Sequence, residues 1–371
     1  MSMRADIVIV GAGVMGLWAA VKARQAGFDT LLLDRSGPGA GASGGVIGAL
    51  APHAPDRWNA KKQFQFEALV ELPGAIADIE AIARQRAGYG RIGRIQPLKD
   101  DAAIARAETH ARDARSRWGD AARIEVLPPD AFPGWASGDV AGWSLDTLTG
   151  RVDPSALCTA LAAAFEALGG RIGAPVGVRA VFPGGLETDR GPVGAPHVVV
   201  AAGVSSFDLL APHLGEVAGR GEKGQAALLD CAPPPNVPLI YGQGAYVIPH
   251  ASGRIAVGAT SERDYGDPGS TDGALDAVIA TARALCPPIA DAPVLRRWAG
   301  VRPRGNGRDP MIGAVPGVDG LHAFTAGFKI SFGIAEKAAR HLIAEIAGET
   351  APLPETFRVA HHLGKGDGGG R

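Results

Sequence analysis

Gly11, Gly13 and Gly16 stand between an apolar run, Ala5-Asp6-Ile7-Val8-Ile9-Val10, and a helical stretch that reaches Ala26-Gly27. Asp34 ends the next apolar run, 23 residues after Gly11. Residues of these types at this spacing can hold a dinucleotide. Gly11 permits the tight turn, Gly13 the approach of a pyrophosphate to the backbone, and Gly16 the close packing of helix on strand. Val14 and Met15 then lie at a helix N-terminus, whose amides and dipole favour phosphate. Asp34 would accept hydrogen bonds from an adenosine ribose. Lys329 is a second candidate. It is one of 8 Lys in the chain, and it is the only charged residue between Leu321 and Ala335 apart from His322. A cation there must be solvated, paired or facing an anion, because burying it alone costs several kcal/mol.

These residues need a strand–turn–helix–strand frame. Ile7–Val10 and Thr30–Leu33 read as buried parallel strands around a helix, a complete βαβ unit. Helical periodicity returns at Lys61–Arg86, Asp101–Trp118, Asp153–Gly169 (with an Asp-Pro start), Asp272–Leu285 and about Phe332–Ala347. Strands are expected near Val176–Val181, at His197–Val200, successively from Leu228 to Thr260, and at Leu321–Thr325. The fold class is therefore α/β, or α+β overall, with a Rossmann-like domain. No internal repeat is found, and the Gly-rich tail, Gly364 to Arg371, is expected to be mobile.

The chain has 371 residues and 46% apolar content, enough for two structural units with a substantial core. Its 37 Lys+Arg balance 38 Asp+Glu, which argues against nucleic acid or an anionic membrane as the main partner. Its 53 Gly and 28 Pro are about twice average usage and show no collagen period, so tight turns and close backbone approaches are the expected cause. Cys158, Cys231 and Cys286 are far apart and give no metal or disulfide signal. The uncharged stretch Ile7–Val21 is too short and too glycine-broken for a membrane span or signal peptide. A cytoplasmic protein with no metal is expected.

The glycine motif suits NAD and FAD alike. After Asp34, however, comes a loop, Gly39-Ala40-Gly41-Ala42-Ser43-Gly44-Gly45, instead of a further strand–helix series. Backbone amides of this kind can lie along a pyrophosphate or a flavin edge. Ala326-Gly327-Phe328-Lys329-Ile330-Ser331 leads into another helix start far away in sequence. Two such approaches favour a long cofactor, FAD.

Several blocks then resemble the D-amino acid oxidase superfamily, which includes glycine oxidase and sarcosine oxidase. They are Asp34-Arg35 with Ala42-Ser43-Gly44, Ala201-Ala202-Gly203, Lys223-Gly224-Gln225, Tyr246-Val247-Ile248-Pro249 and Val257-Gly258-Ala259-Thr260-Ser261-Glu262. Trp298-Ala299-Gly300-Val301-Arg302-Pro303 and Asp309-Pro310-Met311-Ile312-Gly313 complete a set that runs in family order from Ile7 to Ile346.

The resemblance implies an FAD domain from residues 1-84, 150-212 and 318-350, interleaved with a substrate domain from 85-149 and 213-317. The latter would be built on a mixed, largely antiparallel sheet, and 351-371 would form a C-terminal extension. Besides the glycine turn, Arg35, Ala42, Ser43, Gly44, Gly48, Ala49, Leu50, Val176, Ala202 and Gly203 would hold FAD. So would Gly300, Gly327, Phe328, Lys329, Ile330 and Ser331. Arg302, expected in a loop, would grip the substrate carboxylate bidentately, with Lys329 as the second half of a clamp and Tyr246 as a phenol donor. His53 would lie near the flavin as the one catalytic candidate. Monomeric sarcosine oxidase links its flavin to a Cys in the segment matching Gly300–Arg302; no Cys stands there, so noncovalent FAD is implied.

The implied reaction is oxidation of the C–N bond of a small amino acid or N-substituted glycine. Hydride would pass to flavin N5, the imine would hydrolyse, and electrons would go on to O2 or another acceptor. An FAD-dependent 2-hydroxy acid dehydrogenase and a tRNA-modifying flavoenzyme acting on a carboxymethylaminomethyl group are the alternatives.

Overall fold

The computed structural model describes residues 3–365. Ile7–Val10 is fully buried and central in a six-stranded sheet. The spatial order is Met311–Ala314, Leu321–Thr325, His197–Val200, Ile7–Val10, Thr30–Leu33, Arg171–Gly173, all parallel except for the first strand. Strand alternation explains why every residue of Ile7–Val10 is apolar. Ile7 and Ile9 pack into the core beneath the helices Val14–Gln25, Ala60–Ala83, Pro154–Ala167 and Ser331–Ile346. Val8 and Val10 pack on the other face against Val181, Leu186 and Val193, from three antiparallel strands of a small mixed sheet, and against Phe207 of the Ser205–Leu214 helix.

Three separated stretches thus build the nucleotide sheet. Met311–Ala314 belongs to it through antiparallel pairing with Leu321–Thr325. The stretch falls within the 213-317 segment expected for the substrate domain, yet its pairing puts it in this sheet.

The second sheet has eight strands, in the order Val294–Gly305, Gly219–Leu229, Ile255–Gly258, Ala245–Pro249, Leu239–Gly242, Arg94–Leu98, Gly142–Asp146, Ile124–Leu127. Only the Leu239–Gly242/Arg94–Leu98 pair is parallel. The mixed, largely antiparallel sheet is as expected. The long Val294–Gly305 strand is not, and Arg302, expected in a loop, sits inside it opposite Glu222. Its Gly, Pro and Arg content hides the strand, because β-propensity follows packing more than composition. The partner strand's glycines are demanded by close approach: a Cβ on Gly219 would lie 2.3 Å from Phe207, and one on Gly221 2.5 Å from Val301.

Residues 351–365 dock on the body through Phe357, whose ring centroid lies 5.4 Å from that of Phe64. The remainder of the expected mobile tail, 366–371, lies outside the described residues. Among the described residues no helix is long and apolar enough to cross a membrane.

His362 ties this segment down. Gly307 N–H donates to Nδ1 at 3.2 Å, so Nε2 carries the proton and donates to Pro310 O at 3.1 Å. Burial lowers its pKa to about 4. Burial and the adjacent His197 lower His322 to about 4 as well. An unfolded histidine titrates near 6.5, so below that pH the unfolded chain binds more protons than the folded one. The stability these two neutral rings contribute is complete above about pH 6.5 and is lost as pH falls toward about 4. Between pH 7 and 5 each costs about 2 kcal/mol. Urea unfolding at those two pH values should show the loss, and His362→Gln should flatten the pH dependence.

Candidate active site

The two sheets share one cavity of about 810 Å³. At its nucleotide end Gly11 has φ +106°, and a Cβ there would lie 2.4 Å from Ala201 O. Gly13 caps the Val14–Gln25 helix and lines the cavity, and Ser43 Oγ accepts Val14 N–H at 3.0 Å. The Asp34 carboxylate accepts Ala12 N–H at 2.8 Å, Ser36 N–H at 2.7 Å and Gly37 N–H at 2.8 Å. It therefore fixes the glycine turn against the end of the next strand. With about four acceptor positions, it keeps room for a further donor.

Most expected cofactor residues line this cavity. Val14, Met15, Arg35, Ala42, Ser43 and Ala49 form one wall; Val176, Ala202 and Gly203 form another; Phe328, Lys329, Ile330 and Ser331 close the far side. Six do not line it. Gly16, Gly44 and Gly48 are glycines because a Cβ would fall 1.8 Å from Gly11 O, 2.4 Å from Gly39 O and 1.9 Å from Val152 O. Leu50 is a core residue. Gly300 makes room for the Trp298 ring, 2.4 Å from its notional Cβ, and Gly327 for Ser331 Oγ at 2.4 Å.

The other end is cationic. Arg302 Nη2 donates to Thr260 O at 2.7 Å and to Lys223 O at 3.1 Å, and Nε is sealed from solvent without a partner. Both hydrogens of Nη2 are engaged, which leaves Nη1 without a protein partner. The guanidinium lies between Gly224, where a Cβ would come within 2.5–2.7 Å of Nη2, Cζ and Nη1, and the Phe328 ring, 5.4 Å from Cζ. Burial lowers the Arg302 pKa, against the pull of Glu222 and Glu262.

Arg304 Cζ and Lys329 Nζ also lie 5.1 and 5.4 Å from the Phe328 centroid, so three cations surround one aromatic ring. Phe328 has φ +48°, a left-handed conformation that strains a bulky side chain. Glu222 accepts from Arg304 Nη1 at 2.6 Å and from Ser261 Oγ at 2.7 Å. Lys329 has a lowered pKa, through burial first and then the repulsion of Arg302 and Arg304, with Glu222 opposing. A bound anion would relieve that repulsion.

Tyr246 lines the cavity and packs on Tyr241, ring centroids 4.4 Å apart. Arg94 Nη1 approaches its oxygen at 3.4 Å, while Arg94 Nε donates to Asp146 Oδ2 at 2.9 Å. The phenol proton is thereby turned away from Arg94, and burial raises the pKa of the phenol. His53 also lines the cavity, hydrogen-bonded to Gln65.

Gln65, Arg94, Tyr241 and Trp298 were not anticipated. Arg94, Tyr241 and Trp298 reach the cavity through long-range strand pairing and Gln65 from the Ala60–Ala83 helix, and the lone basic residue of the Arg94–Leu98 strand is the only signal the sequence offered.

A cavity that runs from a dinucleotide turn to a cationic pocket suits an enzyme that brings an extended nucleotide cofactor against an anionic substrate. The chain belongs to the DAO family, described as FAD dependent oxidoreductase, whose family model matches residues 6–341. It is 34% identical over 181 residues to the glycine oxidase of Pseudomonas aeruginosa, covering 48% of this chain and 50% of that protein. The match thus spans about half that relative's length. It is 28% identical to the glycine oxidase of Bacillus subtilis over 87% of both chains. The solved structure of glycine oxidase from Geobacillus kaustophilus superposes with a TM-score of 0.87 at 22% identity, covering 98% of this chain and 100% of that one.

FAD is the family's cofactor, and the residues present fit it. The Gly13 approach has no obstruction nearer than Ser43 Oγ at 3.2 Å from a notional Cβ, and the walls beyond are rich in backbone.

Proposed function

We propose that the chain oxidises the C–N bond of a small α-amino acid or N-substituted glycine. The observation that carries this reading is the cation excess around one open donor. Arg302, Arg304 and Lys329 gather around Phe328 with Glu222 as the carboxylate paired to Arg304, while Glu262 and Asp272 face the buried Lys223, and Arg302 Nη1 has no protein partner. A substrate carboxylate supplies the missing charge. One oxygen takes Nη1, and the other takes the Lys329 ammonium or the Tyr246 hydroxyl, which need no bidentate fork.

Residues 1-84, 150-212 and 318-350, joined by the Met311–Ala314 strand, make up the FAD-binding part, and 85-149 with 213-310 the substrate part. The glycine turn holds the pyrophosphate, Asp34 the ribose, and Phe328–Ser331 the flavin edge. The cofactor is noncovalent, and none of the three cysteines lines the cavity. When bound, FAD supplies the two-electron acceptor for hydride from the substrate α-carbon, and O2 or another acceptor takes the electrons onward. The protein's share is to fix the carboxylate, exclude water with Trp298, Tyr241 and Phe328, and present the amine in its neutral form. The product imine hydrolyses.

An anaerobic substrate panel tests this. Glycine, N-methylglycine or a small D-amino acid should bleach the flavin absorbance of the holoenzyme. Bleaching by 2-hydroxy acids alone would replace the reading with the dehydrogenase alternative.

A further inference from the structure

We propose that His53 is the base that removes the proton from the substrate's ammonium group, and that Gln65 holds it in the tautomer able to do so. The inference rests on the amine-oxidising reading above, because hydride leaves the α-carbon only when the nitrogen lone pair is free.

Gln65 is 2% exposed in the Ala60–Ala83 helix. Its Oε1 accepts His53 N–H at 2.9 Å, and its Nε2 donates to Ala51 O at 3.2 Å. Two backbone groups of fixed character, one donor and one acceptor, therefore set which way the amide points. Oε1 also meets His53 Nδ1. An amide oxygen only accepts, so the imidazole proton sits on Nδ1 and the lone pair on Nε2. Nε2 has no protein partner and is not among the sealed polar atoms, and the ring lines the cavity.

The surroundings keep this imidazole unprotonated until substrate arrives. Burial is the largest influence and lowers its pKa. Lys61 and Lys62, from the same helix as Gln65, lower it further, while the Gln65 hydrogen bond and Asp309, from the loop ahead of Met311–Ala314, raise it. Lys61 is itself paired with Asp309, and Lys62 with Asp56.

The step balances without a redox partner. The substrate N–H bond breaks, an Nε2–H bond forms, the nitrogen keeps its electron pair, and the positive charge moves to an imidazolium whose Nδ1–H stays on Gln65 Oε1. The proton then leaves to water.

Stopped-flow reduction of the holoenzyme by saturating amino acid, from pH 6 to 10, tests the assignment in wild type, His53→Asn and Gln65→Leu. At neutral pH His53→Asn should be slower by about 100-fold. Its rate should rise about tenfold per pH unit and meet the wild-type rate above the substrate's own amine pKa. Gln65→Leu should fall between the two. Long-range ¹⁵N–¹H spectra of [¹⁵N]histidine-labelled protein, with His53→Asn used for assignment, should show the Nδ1–H tautomer at His53 and its mixing in Gln65→Leu. Parallel pH profiles, an equal loss at every pH, or an Nε2–H tautomer in wild type would each overturn the proposal while wild type is still bleached by amino acids. Failure of every amino acid to bleach wild type would overturn the parent reading and this one together.

Discussion

Arg302→Met is expected to lower kcat/KM for an amino acid substrate by about 10²–10³-fold, with flavin content and thermal stability nearly unchanged. The magnitude follows from removing a charge-assisted donor inside a partly desolvated pocket, about 3–4 kcal/mol. Both kcat and KM should suffer, since carboxylate binding energy also sets the distance over which the α-hydrogen must travel. The fold should survive: eleven register pairs join the Val294–Gly305 and Gly219–Leu229 strands, and backbone pairing does not depend on the side chain at 302.

Gly224→Ala should reproduce much of this loss without touching Arg302 chemically. The added Cβ would lie 2.5–2.7 Å from three guanidinium atoms. Those atoms are the far end of a flexible side chain, so the guanidinium yields, not the strand. It then loses Thr260 O and Lys223 O, and Nη1 leaves its position. Steady-state kinetics of the two variants, beside their flavin spectra, check the prediction. Full activity in Gly224→Ala would mean that the seat of the guanidinium does not matter.

The second large effect is expected at the glycine turn. Gly16→Ala puts a Cβ 1.8 Å from Gly11 O, which is backbone and cannot swing aside. The turn that presents the amides must itself shift, at a cost of about 1–3 kcal/mol or more from overpacking. The variant should purify colourless, with a lowered Tm even in the absence of FAD. Gly13→Ala is the informative contrast. Its nearest neighbour would be Ser43 Oγ at 3.2 Å, and its φ of −76° suits any residue. The apoprotein should keep its Tm while FAD affinity falls at least tenfold, because the methyl group occupies the phosphate approach. Differential scanning fluorimetry of the apoproteins and FAD fluorescence titrations separate the two cases.

The contrast also marks what a sequence carries locally and what it does not. The βαβ unit was legible because Ile7–Val10, the glycine spacing and Asp34 all act within about 30 residues, where periodicity and turn chemistry decide. The helices at Asp101–Trp118 and Gly273–Leu285 were legible for the same reason, helped by side-chain caps from Asp100 and Asp272. Arg302 could be picked out by resemblance, but not its strand or its single free nitrogen. Those depend on Thr260 and Lys223, which neighbouring strands bring to it across long stretches of chain. Gln65 was invisible as a site residue because its sequence context is that of a buried helix face. Only the fold shows that its amide turns toward His53.

The glycine count divides in the same way. Gly13 and Gly203 border the cavity, whereas Gly16, Gly44 and Gly48 let two pieces of backbone touch. Composition alone treats them as one group. Their tests differ accordingly, in ligand affinity for the first and in stability for the second.

The central claim is that a carboxylate anchored by Arg302 positions the amine for oxidation. Its most direct test is the anaerobic reduction rate of the holoenzyme by the amino acid that bleaches it fastest, set against the amine that remains when the carboxylate is removed, for example glycine against methylamine. The account predicts a rate for the amino acid at least a hundredfold higher in wild type, and a difference that collapses in Arg302→Met. Comparable bleaching by the decarboxylated amine in wild type would contradict it.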